Sequence, residues 1–181
     1  MKSVLLTFVA VILAEAAVLI AGAYSGIPDV AATNRDRGLL RWFLNTTKDH
    51  SISSRAAQIN PPSLNDSGMV LVGFDHYNEM CVTCHGAPGH EADELARGLN
   101  PYPPDLAYST RDMSPSEMFV VIKDGIKMTG MPGFGPTHND TLIWSMVAFL
   151  QRLQTMTSEQ YHAFEKLRPE DEMEHRHGEH E

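Results

Sequence analysis

Residues 73–85 read Gly73-Phe74-Asp75-His76-Tyr77-Asn78-Glu79-Met80-Cys81-Val82-Thr83-Cys84-His85 and end in the pattern C-x-x-C-H. On a helical turn, Cys81 and Cys84 present both thiols to one side, placed to add across the two vinyl groups of a porphyrin. His85 then reaches the iron as proximal ligand, so the pattern implies one covalently attached haem c. A disulfide-exchange pair belongs in a strand–helix context, which is not evident nearby. A zinc site needs more Cys or His at ligand spacing, and no second cluster is evident around the motif.

Outward from the motif, Gly73, Tyr77 and Cys81 fall at i, i+4 and i+8, one stripe of a helix leading into the cysteines. Thr141 to Thr155 carries Leu142, Met146, Phe149, Leu150 and Leu153 at helical spacing. A glycine on the first helix permits close approach by an aromatic on the second. This pairing, together with the C-x-x-C-H run, resembles the class I c-type cytochromes, monohaem proteins whose first and last helices cross in that way. The resemblance spans roughly residues 68–160 and implies an all-α fold, a small cytochrome c-like helical domain around one haem. It gives Tyr77 and Phe149 core roles.

The same resemblance assigns two further residues. Pro103-Pro104-Asp105-Leu106 matches the family's proline segment after the haem motif, which makes Pro104 the carbonyl that accepts the His85 Nδ1–H bond. Lys127-Met128-Thr129-Gly130-Met131-Pro132-Gly133-Phe134-Gly135 matches its glycine-rich loop, with Met131 as the distal iron ligand. A thioether is a soft, neutral donor that favours ferrous iron. Met128 is the nearer competitor, and the loop context favours Met131. Between these segments, Ser114-Pro115-Ser116-Glu117 reads as a capping box with proline at the first helical position, opening a helix that stops at Gly125.

Before the domain, Val4 to Ala23 is an apolar run broken only by Thr7, Glu15 and Gly22. As a helix it is about 30 Å long, the thickness of a bilayer core. Two readings of residues 1–23 stay open. One is a single retained transmembrane anchor, favoured by length. The other is a cleaved signal peptide, favoured by the small-x-small Ala21-Gly22-Ala23. Glu15 is either a protonated carboxyl tolerated by the helix or a contact for a polar group on a partner's transmembrane helix. Residues 24–67 read as a membrane-proximal tether. Gly38 to Ala57 within it suits a helix that either lies at the membrane interface through Trp42 and its arginines or packs on the haem domain.

Residues 161–181 read as an acidic, His-rich tail. Asp171–Glu181 holds His175, His177 and His180 and lacks apolar periodicity, so a solvated segment competes with weak divalent-metal binding. His76, His90 and His138 have no evident reason to compete for the iron. Few aromatics and a net charge of −9, which repels a phosphate backbone, argue against a nucleic-acid partner. Between residues 68 and 167 acids outnumber bases about two to one.

The resemblance therefore implies an electron carrier rather than an enzyme, passing single electrons between redox protein partners. The family's usual setting implies a haem domain facing the periplasm. The anchor reading of residues 1–23, a departure from the soluble family members, makes the chain single-pass in the bacterial cytoplasmic membrane. A fixed cytochrome subunit of a larger respiratory or dehydrogenase complex is the alternative. A haem-based sensor or peroxidase-type enzyme would need an open sixth iron position.

Overall fold

The structure, a computed structural model, describes residues 2–35 and 38–167. Its regular elements are all helices, with no strand among the described residues and one isolated bridge between Ala87 and His90. The chain divides into two compact units, the first ending at Asn34.

The first unit is α1, Lys2–Tyr24, in which no residue is buried. It is long and apolar enough to cross a membrane. The hydroxyl of Thr7 within the apolar run is satisfied internally, Thr7 Oγ1 donating to the Ser3 carbonyl at 3.0 Å. This is how a polar group is carried in an apolar helix. The helix ends at a turn in which both the amide and the hydroxyl of Ser25 donate to the Gly22 carbonyl, ahead of Gly26 at φ 69°. The helix thus stops before Pro28 is reached.

The second unit begins with α2, Gly38–Ala56, whose two halves behave differently. At its C-terminal end Ala56 is buried, Ser53 donates to Glu117 Oε1 at 2.6 Å, and Arg55 pairs with Asp124. Both acids belong to α7, Pro115–Asp124. At its N-terminal end Leu39, Leu40, Trp42 and Phe43 stay exposed. Packing therefore accounts for one half of this helix and leaves the apolar face of the other uncovered. The segment beyond α2 is extended but also docked. Ile59 and Leu64 pack on the core, and the Ile59 carbonyl accepts the Ser116 hydroxyl at 2.9 Å. Packed structure thus starts well before residue 67, where the sequence reading placed the end of the tether.

The centre of the fold is the crossing of α3, Ser67–His76, with α8, Asp140–Leu153. α3 starts at Asp66, whose carboxylate accepts the Met69 amide at 2.8 Å. α8 starts at Asn139, which accepts the Leu142 amide at 3.0 Å. Side-chain oxygens at these caps satisfy donors that the first turn leaves without a partner. The helices touch at Gly73: a Cβ there would lie 1.9 Å from the Ser145 carbonyl oxygen and 2.9 Å from Phe149 Cβ. Around the contact, Phe74 meets Phe149 and Tyr161 edge-on at 5.5 and 5.4 Å, and Tyr77 meets Phe149 at 5.2 Å. Such tilted pairs add to area burial because ring edges and faces carry opposite partial charge. On the other side of α8, Trp144 stacks on Phe119 of α7 at 4.2 Å. α7 opens with the expected capping box, Ser114 with Glu117, and ends at Gly125.

Tyr161 sits on α9, Ser158–Glu165, the last helix among the described residues, and is fully buried. The domain core therefore runs past residue 160, where the sequence reading began the tail. The tail histidines and the rest of residues 168–181 lie outside the described residues.

Candidate functional site

Between α3 and the cysteines the helix widens into a π turn over Tyr77–Cys81, with the Val82 amide bonding to the Tyr77 carbonyl. The wider turn holds one extra residue, so Gly73, Tyr77 and Cys81 do not share the straight stripe that i, i+4, i+8 spacing implied. Turns of this kind recur where a side chain must be re-aimed at a functional site. α4, Val82–His85, follows directly, so Cys81, Cys84 and His85 occupy one continuous helical segment.

That segment ends abruptly at Gly86, which adopts φ 64°. A Cβ there would lie 2.8 Å from the His90 carbonyl, so both the conformation and the space demand glycine. The Gly86 carbonyl accepts the Tyr77 hydroxyl at 2.5 Å. Burial is the main reason the Tyr77 phenol is raised above its ordinary range, which keeps it a hydrogen-bond donor. Beyond the turn, Ala87 and His90 exchange backbone hydrogen bonds at 2.9 and 2.8 Å. Gly86 escaped the sequence reading, although a glycine directly after C-x-x-C-H was the available sign.

Both cysteines are free thiols and half-buried. Burial, and secondarily Cys84, push the Cys81 thiol up to about 12. A disulfide-exchange pair requires the opposite, a stabilised thiolate. The ring of His85 lies with Nδ1 2.7 Å from the Pro104 carbonyl oxygen. A carbonyl only accepts, so Nδ1 carries the proton and the Nε2 of a neutral ring keeps its lone pair. Burial, opposed by the Pro104 bond and Asp105, lowers the imidazole pKa and favours that neutral form. This is the tautomer a metal-ligating histidine needs, fixed by the hydrogen bond of its other nitrogen.

Pro104 is itself held in place. Asp105 caps α6, Leu106–Ser109, by accepting the Ala107 amide at 2.8 Å. Thr110 and Arg111 then tie this segment to the end of α8: Gln154 Nε2 donates to the Thr110 carbonyl at 3.1 Å, and Arg111 Nη2 donates to the Gln154 carbonyl at 3.0 Å.

Met131 belongs to a separate element, the loop between α7 and α8. The loop is pinned to α7 by the Phe134 and Gly135 amides, which donate to Ile122 and Lys123 at 3.0 and 2.8 Å. Its own turn closes through Ile126, whose amide donates to the Met131 carbonyl, and Thr129 Oγ1, which accepts the Met131 amide at 3.1 Å. The loop glycines serve protein contacts. A Cβ on Gly133 would strike the Asp124 backbone at 2.7 Å, and one on Gly130 would meet Leu99 at 2.7 Å. The two methionines separate clearly: Met131 is half-buried, whereas Met128 is 83 % exposed at φ 63°.

Two adjacent thiols, an imidazole whose Nδ1 bonds the Pro104 carbonyl and a thioether on a pinned loop are the kinds of donor a covalently held haem uses. His76 and His138 lie outside that set, their rings edge to face at 5.3 Å. Residues 69–150 match the model of the family described as cytochrome C oxidase, cbb3-type, subunit III. No curated protein matches the chain. The fold, the C-x-x-C-H segment and this match together make residues 69–150 a c-type cytochrome domain, the kind that carries haem for electron transfer.

Proposed function

We propose that this chain is a membrane-tethered, periplasmic electron carrier with one haem c and no substrate chemistry of its own. Cys81 and Cys84 would hold the haem through thioether bonds, His85 and Met131 would ligate the iron, and Pro104 would orient His85. The observation that carries this reading is the 2.7 Å approach of His85 Nδ1 to the Pro104 carbonyl beside two free thiols. Haem, when bound, supplies an iron that takes up and releases one electron.

The protein's own part is positional. The Tyr77–Gly86 bond and the Ala87–His90 bridge brace the turn after His85. The Asp105 cap braces Pro104. A ligand set braced on both sides changes little between oxidation states, which suits rapid electron exchange. The net charge of −9 favours a partner presenting basic residues, and such complementarity acts chiefly on encounter rate. α1, retained as an anchor, would raise the effective concentration near a membrane partner.

The attachment is tested by acid–acetone extraction. The wild-type haem is expected to stay with the denatured chain, and Cys81→Ala with Cys84→Ala to leave no covalently bound haem. Free extraction from the wild type refutes the assignment of the two thiols.

A second reading, a fixed subunit of a respiratory complex, draws support from the description of the matched family as an oxidase subunit. Purification in mild detergent separates the two. A shuttle is expected to elute alone, and stoichiometric co-elution with other subunits favours the complex.

A further inference from the structure

Away from the haem ligands, the turn after His85 meets α9. There one nitrogen of His90, one nitrogen of His162 and one oxygen of Glu165 all lie within 4.8 Å of one another. We propose that His90, His162 and Glu165 form a binding site for a divalent transition-metal ion of the zinc class, clamping α9 to the turn that follows the haem motif.

The three side chains come from rigid supports. His90 is fixed by its paired backbone bonds to Ala87. α9 is fixed at its start by a capping box between Thr157 and Gln160, and in rotation by fully buried Tyr161. His162 and Glu165 are i and i+3, so one helix face offers both donors together. The approach of the two elements is close: a Cβ on Gly89, at φ 90°, would lie 3.0 Å from Ser158 Cβ and 3.5 Å from His162 Nε2.

The His90–Glu165 separation suits coordination better than hydrogen bonding. Nε2 of His90 is buried and makes no hydrogen bond, although Glu165 Oε1 lies 3.3 Å away. A buried imidazole nitrogen without a partner is costly unless something else occupies its lone pair. Ligands about 2.0–2.1 Å from a tetrahedral zinc are about 3.4 Å apart, close to that separation. The second carboxylate oxygen receives the His162 Nδ1 hydrogen bond at 2.7 Å. The rings of His90 and His162 lie 5.0 Å apart, and the His162 side chain is about half exposed. Two imidazoles and one carboxylate, with a fourth position open to water, is a zinc donor set; copper(II) and nickel(II) share its preference for imidazole. Calcium and magnesium, which prefer all-oxygen shells, would bind poorly.

The test uses the full chain, haem-loaded in detergent, carrying His175→Ala, His177→Ala and His180→Ala so that the tail imidazoles contribute nothing. Calorimetric titration with zinc chloride is expected to show one saturable site per chain. His162→Ala and Glu165→Gln should each weaken it at least tenfold, since loss of even an outer-shell partner typically costs 10–100-fold. Zinc should also raise the thermal midpoint of the parent protein but not of His162→Ala, while the haem absorption spectrum of both stays unchanged. His162 is half exposed, so its replacement leaves the core intact, and the unchanged haem spectrum verifies this. The absence of saturable binding overturns the proposal. So does binding whose affinity falls less than threefold in both variants.

Discussion

Gly73→Ala is expected to destabilise the haem domain by about 3 kcal/mol or more, beyond the usual range for one added methyl in a packed core. The new Cβ would lie 1.9 Å from the Ser145 carbonyl oxygen, 2.5 Å from its carbonyl carbon and 2.9 Å from Phe149 Cβ. An ordinary carbon–oxygen contact needs about 3.3 Å or more. The obstructing atoms are backbone, so no side-chain rotation relieves the clash. α3 and α8 must separate, which pulls Phe74 and Tyr77 away from Phe149. Alanine's better helix propensity returns only about 0.5–1 kcal/mol. With urea slopes of about 1–3 kcal/mol/M, the unfolding midpoint should fall by about 1 M or more. Gly98→Ala is the control. Its φ is −84° and its nearest neighbour would lie at an ordinary 3.6 Å, so a change within about 0.5 kcal/mol is expected. Equal midpoints for the two variants would mean that the helices do not cross at Gly73.

Gly73 was legible in the sequence because its constraint is steric and its partner aromatic is marked by helical spacing. The C-x-x-C-H segment was legible for a similar reason, since the chemistry dictates residue types at a fixed local interval. The π turn at Tyr77–Cys81 was not. Its cause is a shift in backbone hydrogen bonding, which leaves no imprint on residue type. α9 was missed because eight residues with only Tyr161 and Phe164 to bury give little periodicity. Its capping box, Thr157 with Gln160, was nevertheless present as a local signal. α2 divides the two kinds of information. The apolar residues of its exposed N-terminal half are plain in the sequence, whereas the docking of Ser53 and Arg55 on α7 depends on acids far along the chain. His90, His162 and Glu165 illustrate the limit most sharply. Two of them are neighbours on a helix, but the third arrives only through tertiary packing.

Met131→Ala is expected to abolish the sulfur-to-iron charge-transfer band, lower the redox potential, and let carbon monoxide bind the ferrous protein. Met128→Ala is expected to do none of these. The contrast rests on the loop. Met131 is half-buried, and both its amide and its carbonyl are engaged within the turn formed by Ile126 and Thr129. Gly133, two residues on, is wedged against the Asp124 backbone, so the position of Met131 is fixed by α7 rather than by its own side chain. Met128 stands 83 % exposed at φ 63°. Thioether ligation raises a haem potential because the soft, neutral donor stabilises ferrous over ferric iron. Replacing it by water or by nothing removes that preference. Each 59 mV of lowered potential corresponds to about 1.4 kcal/mol for a one-electron couple, so loss of the ligand should be plain in a spectroelectrochemical titration. The fold should survive, since the loop's attachment to α7 is made by backbone amides that alanine retains. If Met128→Ala removes the band and Met131→Ala keeps it, the ligand assignment is reversed. If both variants keep the band, the potential and the resistance to carbon monoxide, neither methionine ligates the iron. A different sixth ligand must then be sought. Carbon monoxide binding to the wild-type ferrous protein would instead point to an open site, as a sensor or peroxidase requires.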